Sequence, residues 1–319
     1  MKKLLVALAT GLTFCVSAQA AEPLIVYSAG PKPLSSALAK GFEAETGIAV
    51  ELFQSSAGKI MARYQSEKAN PHADMMISAA WSHAITLDAA DELLAYTSPN
   101  AKKVPSALKT KTYVAQGAAA LAIAYNTKSG LPLPHKWADL AKAAYQDQVT
   151  MPDPSSSGSA LSLLQGLVTK DQKSTWAMFA DLKSNGIIVP GANKAALTPV
   201  LQGSRGVVFG AVDYIVFGSK AKGESIDVIY PTDGTVLAPR PIMIMKSTPH
   251  AAAAKAFVDY ILSDKGQALV ASRFLLPART DIKAKRPGYN DLSIIEFDQL
   301  KAAHSATATK QKFAKLMAQ

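Results

Sequence analysis

The fold is decided by residues 24–54, which read LIVYSAGPKPLSSALAKGFEAETGIAVELFQ. A β-rich run at each end encloses apolar residues that recur at helical spacing. The chain then continues with a helix, a strand and another helix. This alternation predicts a βαβαβ unit, which implies a parallel sheet with right-handed crossovers. The predicted strands are 24–27, 48–53 and 73–78, and the predicted helices are 34–42, 59–68 and 81–88.

All three predicted strands end in turns made of small, hydroxyl-bearing or aromatic residues. Ligands of parallel sheets bind at the carboxyl ends of the strands, in the turns that follow them. We therefore expect the first half of the chain to contribute ligand-binding residues from these turns. The candidates are Tyr27, Ser28, Ser55, Ser56 and Trp81.

The second half of the chain contains a further predicted α/β unit with a serine-rich turn, residues 151–159, which reads MPDPSSSGS. A helix is predicted to begin directly after it. The N-terminus of a helix carries unpaired N–H groups and the positive end of the helix dipole, which favours an anion. The same turn is equally typical of a helix start with several capping groups and no ligand. The candidate residues are Ser155, Ser156, Ser157 and Gly158.

Residues 1–20 have the pattern of a cleaved secretory signal peptide. Two lysines precede an apolar run over 4–16, and a small-x-small cleavage site follows at 18–20. The apolar run is shorter than a stable membrane span. The only cysteine, Cys15, lies in this segment. The sequence therefore predicts an exported periplasmic protein without disulfides or cysteine metal sites.

The chain is basic, with a formal net charge of +10 at pH 7. Its lysines are scattered, with no dense basic run and no interleaved aromatic residues. This distribution argues against nucleic-acid binding. A positive surface instead favours the attraction of a small anionic ligand.

The order and spacing of several short fragments resemble the exported solute-binding proteins of ABC importers. The resemblance is to the branch that includes 2-aminoethylphosphonate, sugar-phosphate and ferric-ion binders, and it covers nearly the whole mature chain. The fragments that carry it are residues 24–28, 42–47, 73–77, 121–126, 152–158, 212–214 and 257–267.

This resemblance implies an α/β protein with the two-lobe periplasmic-binding-protein fold, crossing hinge strands and a central ligand cleft that closes on binding. The implied N-terminal lobe is discontinuous and comprises residues 21–117 plus 235–319. The implied C-terminal lobe comprises residues 118–234. We expect a monomer without cofactors, whose partners are a small ligand and an ABC permease in the inner membrane.

A small phosphonate or phosphate ester is the predicted ligand, with 2-aminoethylphosphonate as the best candidate. The serines of both lobes would hold the phosphorus group. Asp213 follows a predicted strand over 206–212 and would hold an amine or hydroxyl, although a helix N-cap is an equally good role for it. The sequence leaves open whether Lys59, Arg240 or Arg279 reaches the cleft.

Ferric ion is the alternative ligand within this class of protein. The ferric members that this chain resembles hold iron through tyrosinates, including an adjacent Tyr-Tyr pair. At the matching place this chain has Asp213-Tyr214, so one tyrosine is missing. Tyr27 and Tyr125 stand near strand ends and could join Tyr214, or they could be packed aromatics. The histidines show no metal-ligand spacing, so we expect no zinc site.

A serine hydrolase is the alternative from another class. Ser56 and Lys59 match the S-x-x-K pattern of β-lactamases and penicillin-binding proteins. The companion S-D-N and K-T-G elements are absent from the sequence. We therefore expect no enzyme activity and no catalytic residues.

Overall fold

A computed structural model describes residues 22–318, so the predicted signal peptide and Cys15 lie outside the described part of the chain. Within that part there are nine strands and ten α-helices. The strands are β1 Leu24–Ser28, β2 Val50–Gln54, β3 Met75–Ile77, β4 Tyr113–Asn126, β5 Val149–Thr150, β6 Val207–Val212, β7 Ile226–Ile229, β8 Leu237–Ile244 and β9 Leu276–Pro277. The helices are α1 Lys32–Thr46, α2 Ala57–Ser66, α3 Trp81–Ala89, α4 Gly158–Lys170, α5 Gln172–Ser184, α6 Asn193–Leu201, α7 Asp213–Lys220, α8 Ala251–Ile261, α9 Asp264–Ser272 and α10 Gln299–Ala318.

The first three strands form the parallel unit that the sequence predicts. β1 lies between β2 and β3 and pairs with both in parallel. The sheet continues in the order β2-β1-β3-β8-β4-β6-β5, and both β7 and β9 also pair with β4. The carboxyl ends of β1, β2 and β3 therefore lie at one edge, together with the turns that follow them.

The long strand β4 joins the two halves of the molecule. It has 14 residues, all buried. Its first part pairs with β8 and β9, and its second part pairs with β6 and β7. β4 and β8 are thus the crossing strands of an α/β two-lobe fold. The predicted lobe boundary at residues 117 and 118 falls inside β4, and this boundary stays a prediction.

The sequence predicts a strand only over residues 242–245, whereas β8 begins at Leu237, and its first part contains Pro239 and Pro241. A proline cannot donate a ladder hydrogen bond, so it argues against an interior strand. Both prolines pair with β4 on either side of an irregularity between Ala115 and Ala118. The register change accommodates them, and it leaves Arg240 held between two residues of fixed φ.

The C-terminal helix α10 contacts α3 of the first half and also α4 and α5 of the second half. The Nε2 of Gln165 donates to the carbonyl of Ala302 over 2.5 Å. Phe313 is buried and meets the edge of Phe179 at 5.4 Å between ring centroids. The sequence past Arg286 predicts a helical appendage on the first lobe, and the structure shows that this helix contacts both halves. Between residues 22 and 318, no helix is both long and apolar enough to cross a membrane.

Candidate ligand-binding cleft

The turns that follow β2 and β3 contact the serine-rich turn of the second lobe. A Cβ placed on Gly158 would lie 2.6 Å from the Cβ of Ala80 and 2.9 Å from the carbonyl oxygen of Ala79. A Cβ placed on Gly58 would lie 2.6 Å from the carbonyl oxygen of Ser155. The two glycines therefore let the lobes approach each other closely. The predicted cleft is the region between these turns.

Arg240 lies deep between the lobes. Its residue is only 2% exposed. Its Nη2 donates a hydrogen bond to the carbonyl of Ala29 over 2.5 Å, in the turn after β1. Its Cζ lies 5.9 Å from the ring centroid of Tyr214, in the first turn of α7. The guanidinium thus contacts a strand-to-helix turn of the first lobe and a helix start of the second.

The charge of Arg240 has no counter-ion within residues 22–318. No carboxylate of that part of the chain lies within ion-pair distance of it, and its buried Nε–H has no acceptor. A guanidinium stays protonated, and an unpaired buried charge is costly. The other two candidate cations are placed elsewhere: Lys59 is exposed, and Arg279 binds Asp264 and Asp281. Arg240 is therefore the predicted charge partner that reaches the cleft.

Two glutamines also have buried polar atoms without partners in the described part of the chain. The Nε2 of Gln54 is unpaired at the end of β2, where Gln54 pairs with Ser28 of β1. Both polar atoms of the Gln116 side chain are unpaired, and Gln116 lies in the part of β4 opposite Arg240. Unpaired buried polar groups are rare in native proteins and often mark a ligand or water site. The sequence analysis missed both glutamines.

The start of α3 provides further donors. Its N-cap, Ala80, has no side-chain cap hydrogen bond, whereas Ser56 caps α2 and Ser157 caps α4. An uncapped helix start leaves backbone N–H groups without intrahelical partners, and it favours negative charge. The starts of α7 and α1 differ, because the Tyr214 N–H donates to the carboxylate of Asp213 and α1 has a proline in its first turn. α3 follows β3 of the central sheet, so its free N–H groups lie at a strand end where such folds bind ligands.

Ser28 and Gly30 shape the site beside Arg240. Ser28 is buried, shares a hydrogen bond with Ser35 at 2.9 Å between the hydroxyl oxygens, and accepts one from the N–H of Gly30. A Cβ on Gly30 would lie 3.1 Å from the Ser28 Oγ and 3.9 Å from the Arg240 Nη2. The backbone N–H of Ser55 donates to the carbonyl of Ser28. Ser28 and Ser55 therefore lie in the region that the sequence predicts.

The hydroxyls of the serine-rich turn form hydrogen bonds within the second lobe, and the contact of these serines with a ligand stays a prediction. Ser155 donates to a carboxylate oxygen of Asp153 over 2.6 Å, and the hydroxyl of Ser156 donates to the carbonyl of the same residue. Ser157 donates to Asn193 over 2.7 Å and accepts the N–H of Ala160 as the cap of α4. The geometry fits the capping interpretation of these three serines, because local groups already engage their hydroxyls.

The carboxylate of Asp213 is likewise occupied, which does not fit the predicted role of binding an amine. Asp213 is completely buried at the start of α7, and Val212 rather than Asp213 is the N-cap. Burial raises the pKa of Asp213 to about 6, so its carboxyl is still ionised at neutral pH. Its partners are the N–H groups of Ala120 and Tyr214, the hydroxyl of Tyr230 and the guanidinium of Arg286.

The three tyrosines proposed as iron ligands have different surroundings. Tyr27 donates to Glu67 over 2.5 Å, and Tyr125 donates to the carbonyl of Leu131 over 2.5 Å. Burial, together with Glu67, raises the pKa of Tyr27 to about 12, and burial also raises the pKa of Tyr214. A tyrosinate ligand must lose its proton, whereas the hydroxyls of Tyr27 and Tyr125 each donate that proton to another protein group. No group of three or more His, Cys, Asp or Glu side chains suited to a metal occurs within the described ranges.

Two other predicted site residues have structural roles. Trp81 is buried and packs edge-on against Tyr113, with 5.0 Å between ring centroids, so it belongs to the core of the first lobe. The Oγ of Ser56 accepts the N–H of Lys59 as the cap of α2. The serine of the S-x-x-K match is therefore a helix cap.

The fold and the donor-rich cleft between its lobes define a class of binding proteins. Residues 70–303 match the family described as bacterial extracellular solute-binding protein, and the chain belongs to that family. Its relatives are solute-binding components of transporters rather than enzymes, so the hydrolase alternative is not retained.

The curated relatives are distant. The chain is 26% identical over 278 residues to an uncharacterized protein of Haemophilus influenzae, with 82% of this chain and 79% of the relative covered. It is 23% identical over 251 residues to a protein of Salmonella typhimurium named as a putative 2-aminoethylphosphonate-binding periplasmic protein, with 76% of this chain and 73% of that protein covered.

Solved structures show the same fold. The periplasmic binding protein AfuA from Actinobacillus pleuropneumoniae, with fructose-6-phosphate bound, matches with a TM-score of 0.85 and 21% identity, covering 93% of this chain and 98% of that one. Iron-bound HitA from Pseudomonas aeruginosa matches with a TM-score of 0.82 and 21% identity, covering 91% and 99%. These likenesses establish the two-lobe architecture and leave the ligand open.

Proposed function

We propose that this protein captures a small organophosphorus anion, a phosphonate or a phosphate monoester, and delivers it to an ABC permease. The observation that carries the proposal is the buried guanidinium of Arg240, which has no counter-ion within residues 22–318 and has a free Nε–H. An anion bound there would neutralise the charge and accept that hydrogen bond. The same ligand would bring the first and second lobes together, because Arg240 contacts both.

A phosphorus oxyanion suits the donors around Arg240. The planar guanidinium presents parallel N–H groups that match phosphate-like oxygens. Gln54 adds an unpaired amide donor, and the uncapped start of α3 adds backbone N–H groups. A tetrahedral group with three terminal oxygens can accept from several of these donors at once. A ferric ion, by contrast, needs anionic oxygen ligands and would meet a positive charge.

Among such anions, 2-aminoethylphosphonate is the first ligand to test. The names of three Salmonella relatives at 22–23% identity support this choice, and the sugar phosphate bound to AfuA supports a phosphate ester as the second. The relatives' periplasmic names and the predicted signal peptide likewise support export to the periplasm. We expect the exported form to be a monomer that needs no cofactor.

The test is calorimetric titration of the mature, ligand-stripped protein. The ligands are 2-aminoethylphosphonate, a hexose phosphate, inorganic phosphate and chelated Fe³⁺. We expect tight binding of at least one organophosphorus compound and no heat from iron. Tight iron binding with a coloured complex, and no response to any phosphorus compound, would overturn the proposal.

A further inference from the structure

Arg286 is a second buried guanidinium, and it lies next to the cleft. It comes from the segment between β9 and α10, and its side chain has no exposed surface. It forms an ion pair with Asp213, and its Nη2 donates to the hydroxyl of Tyr230 over 2.7 Å. Its Cζ lies 5.6 Å from the ring centroid of Phe217, in α7. A residue far along the chain thus covers the carboxylate at the start of α7.

Asp213 stands at a position from which a carboxylate would face a ligand. It directly follows β6, at a strand-to-helix turn, and the next residue, Tyr214, packs against Arg240. An uncovered carboxylate beside the anion-binding guanidinium would repel a phosphorus anion. It would also attract the ammonium or hydroxyl group at the other end of a two-pole ligand.

Arg286 removes this repulsion and this attraction. Its guanidinium neutralises Asp213 and occupies the position that a ligand's ammonium group would otherwise take. We propose that Arg286 is a specificity-determining residue, an internal counter-cation that makes the cleft select ligands by their anionic pole alone. This inference rests on the proposed function and narrows its ligand class. The cleft then takes phosphonates and phosphate monoesters whether or not they carry an amine.

The comparison that tests this in the unmodified protein uses two ligands of equal size. n-Propylphosphonate has a methyl group where 2-aminoethylphosphonate has an ammonium group. We expect the two dissociation constants to differ by less than about tenfold, because Asp213 is already paired with Arg286 and cannot form an ion pair with the ammonium group. A preference for 2-aminoethylphosphonate of more than about tenfold would overturn the inference and leave the proposed function intact.

The variant Arg286→Gln uncovers Asp213. We expect the preference for 2-aminoethylphosphonate over n-propylphosphonate to rise by about tenfold or more, since the ammonium replaces the lost guanidinium. The double variant Asp213→Asn/Arg286→Gln should return the preference to that of the parent. Lys285→Gln, a neighbouring exposed position, is the matched control for a lost positive charge.

The outcomes separate the two proposals. A folded Arg286→Gln variant with an unchanged preference would overturn the role of Arg286. If that variant does not fold, the double variant and the unmodified protein still decide, because the double variant buries no unpaired charge. A preference for 2-aminoethylphosphonate of more than about tenfold, in the double variant or in the unmodified protein, would contradict the inference. Failure of both ligands to bind the unmodified protein would overturn the proposed function, and the inference would fall with it.

Discussion

The Arg240 guanidinium packs beside the ring of Tyr214, with 5.9 Å between the Cζ and the ring centroid. This relationship joins crossing strand β8 to the start of α7, so the guanidinium that we propose to bind the anion lies where the two lobes meet. Tyr214 cannot neutralise Arg240, because burial raises the pKa of its hydroxyl and keeps it protonated. In the proposed site, the ligand would therefore supply the counter-charge of Arg240.

The first prediction concerns the ligand-free protein. Arg240→Met removes a buried cation that has no carboxylate partner in residues 22–318 and keeps a side chain of similar length. We expect the free energy of unfolding to rise by about 1–3 kcal/mol, because an unpaired buried charge is costly. Urea denaturation measures this. A loss of stability as large as the expected gain would show that Arg240 is paired in the native protein.

The second prediction concerns Gly30. A methyl group at this position would lie 2.8 Å from the Ser35 hydroxyl and 3.1 Å from that of Ser28, beside the Nη2 of Arg240. We expect Gly30→Ala to weaken anion binding by about tenfold or more, since the two serine hydroxyls beside the guanidinium would have to move. Gly218→Ala in α7, where a methyl group meets no atom within 4 Å, is the control and should bind normally. Equal affinities in titration of the two variants would contradict the placement of the site.

The third prediction separates helix capping from ligand binding in the serine-rich turn. Ser157 caps α4, so Ser157→Ala should lower the free energy of unfolding by about 1 kcal/mol. Ser155→Ala should change ligand affinity little, because its hydroxyl already binds Asp153. Thermal unfolding and titration measure the two effects. A large loss of affinity in the Ser155 variant would show that this hydroxyl contributes to ligand binding.

The fourth prediction is a pH dependence due to His83. This residue of α3 shares a hydrogen bond with Ser78, and burial, with a smaller effect of Lys310, lowers its pKa from 6.5 to about 4. The unfolded chain therefore binds more protons between these values, and stability falls as the pH drops from 6.5 to 4, by at most about 3 kcal/mol. His83→Gln should lose this part of the dependence. Parallel pH profiles of the two proteins would contradict it.

Much of the fold follows from local patterns in the sequence. The alternation from Leu24 to Asp88 predicted the parallel β2-β1-β3 unit, which the structure confirms. The beginning of β8 was missed because Pro239 and Pro241 break the local strand signal. Those prolines pair through a register change in β4, which depends on a distant strand and has no local signature.

The sequence places the predicted site at the turns after β1, β2 and β3, and this placement stays a prediction. The structure shows which polar atoms of the predicted residues are already engaged by other protein groups. Partners far along the chain decide which hydroxyls and carboxylates stay free. Asn193 accepts the hydrogen bond of the Ser157 hydroxyl, and Arg286 forms an ion pair with Asp213. Local patterns offer no basis for choosing Arg240 over Arg279, because only the tertiary structure pairs Arg279 with two aspartates.

The central claim is that Arg240 holds the anion, and titration of Arg240→Met with 2-aminoethylphosphonate and a hexose phosphate tests it most directly. Arg279→Met, a guanidinium outside the cleft, is the control. We expect the Arg240 variant to lose about 1.5–3 kcal/mol of binding free energy for each charge-assisted hydrogen bond removed, and the control to bind as the parent does. Parental affinity in the Arg240 variant would contradict the account.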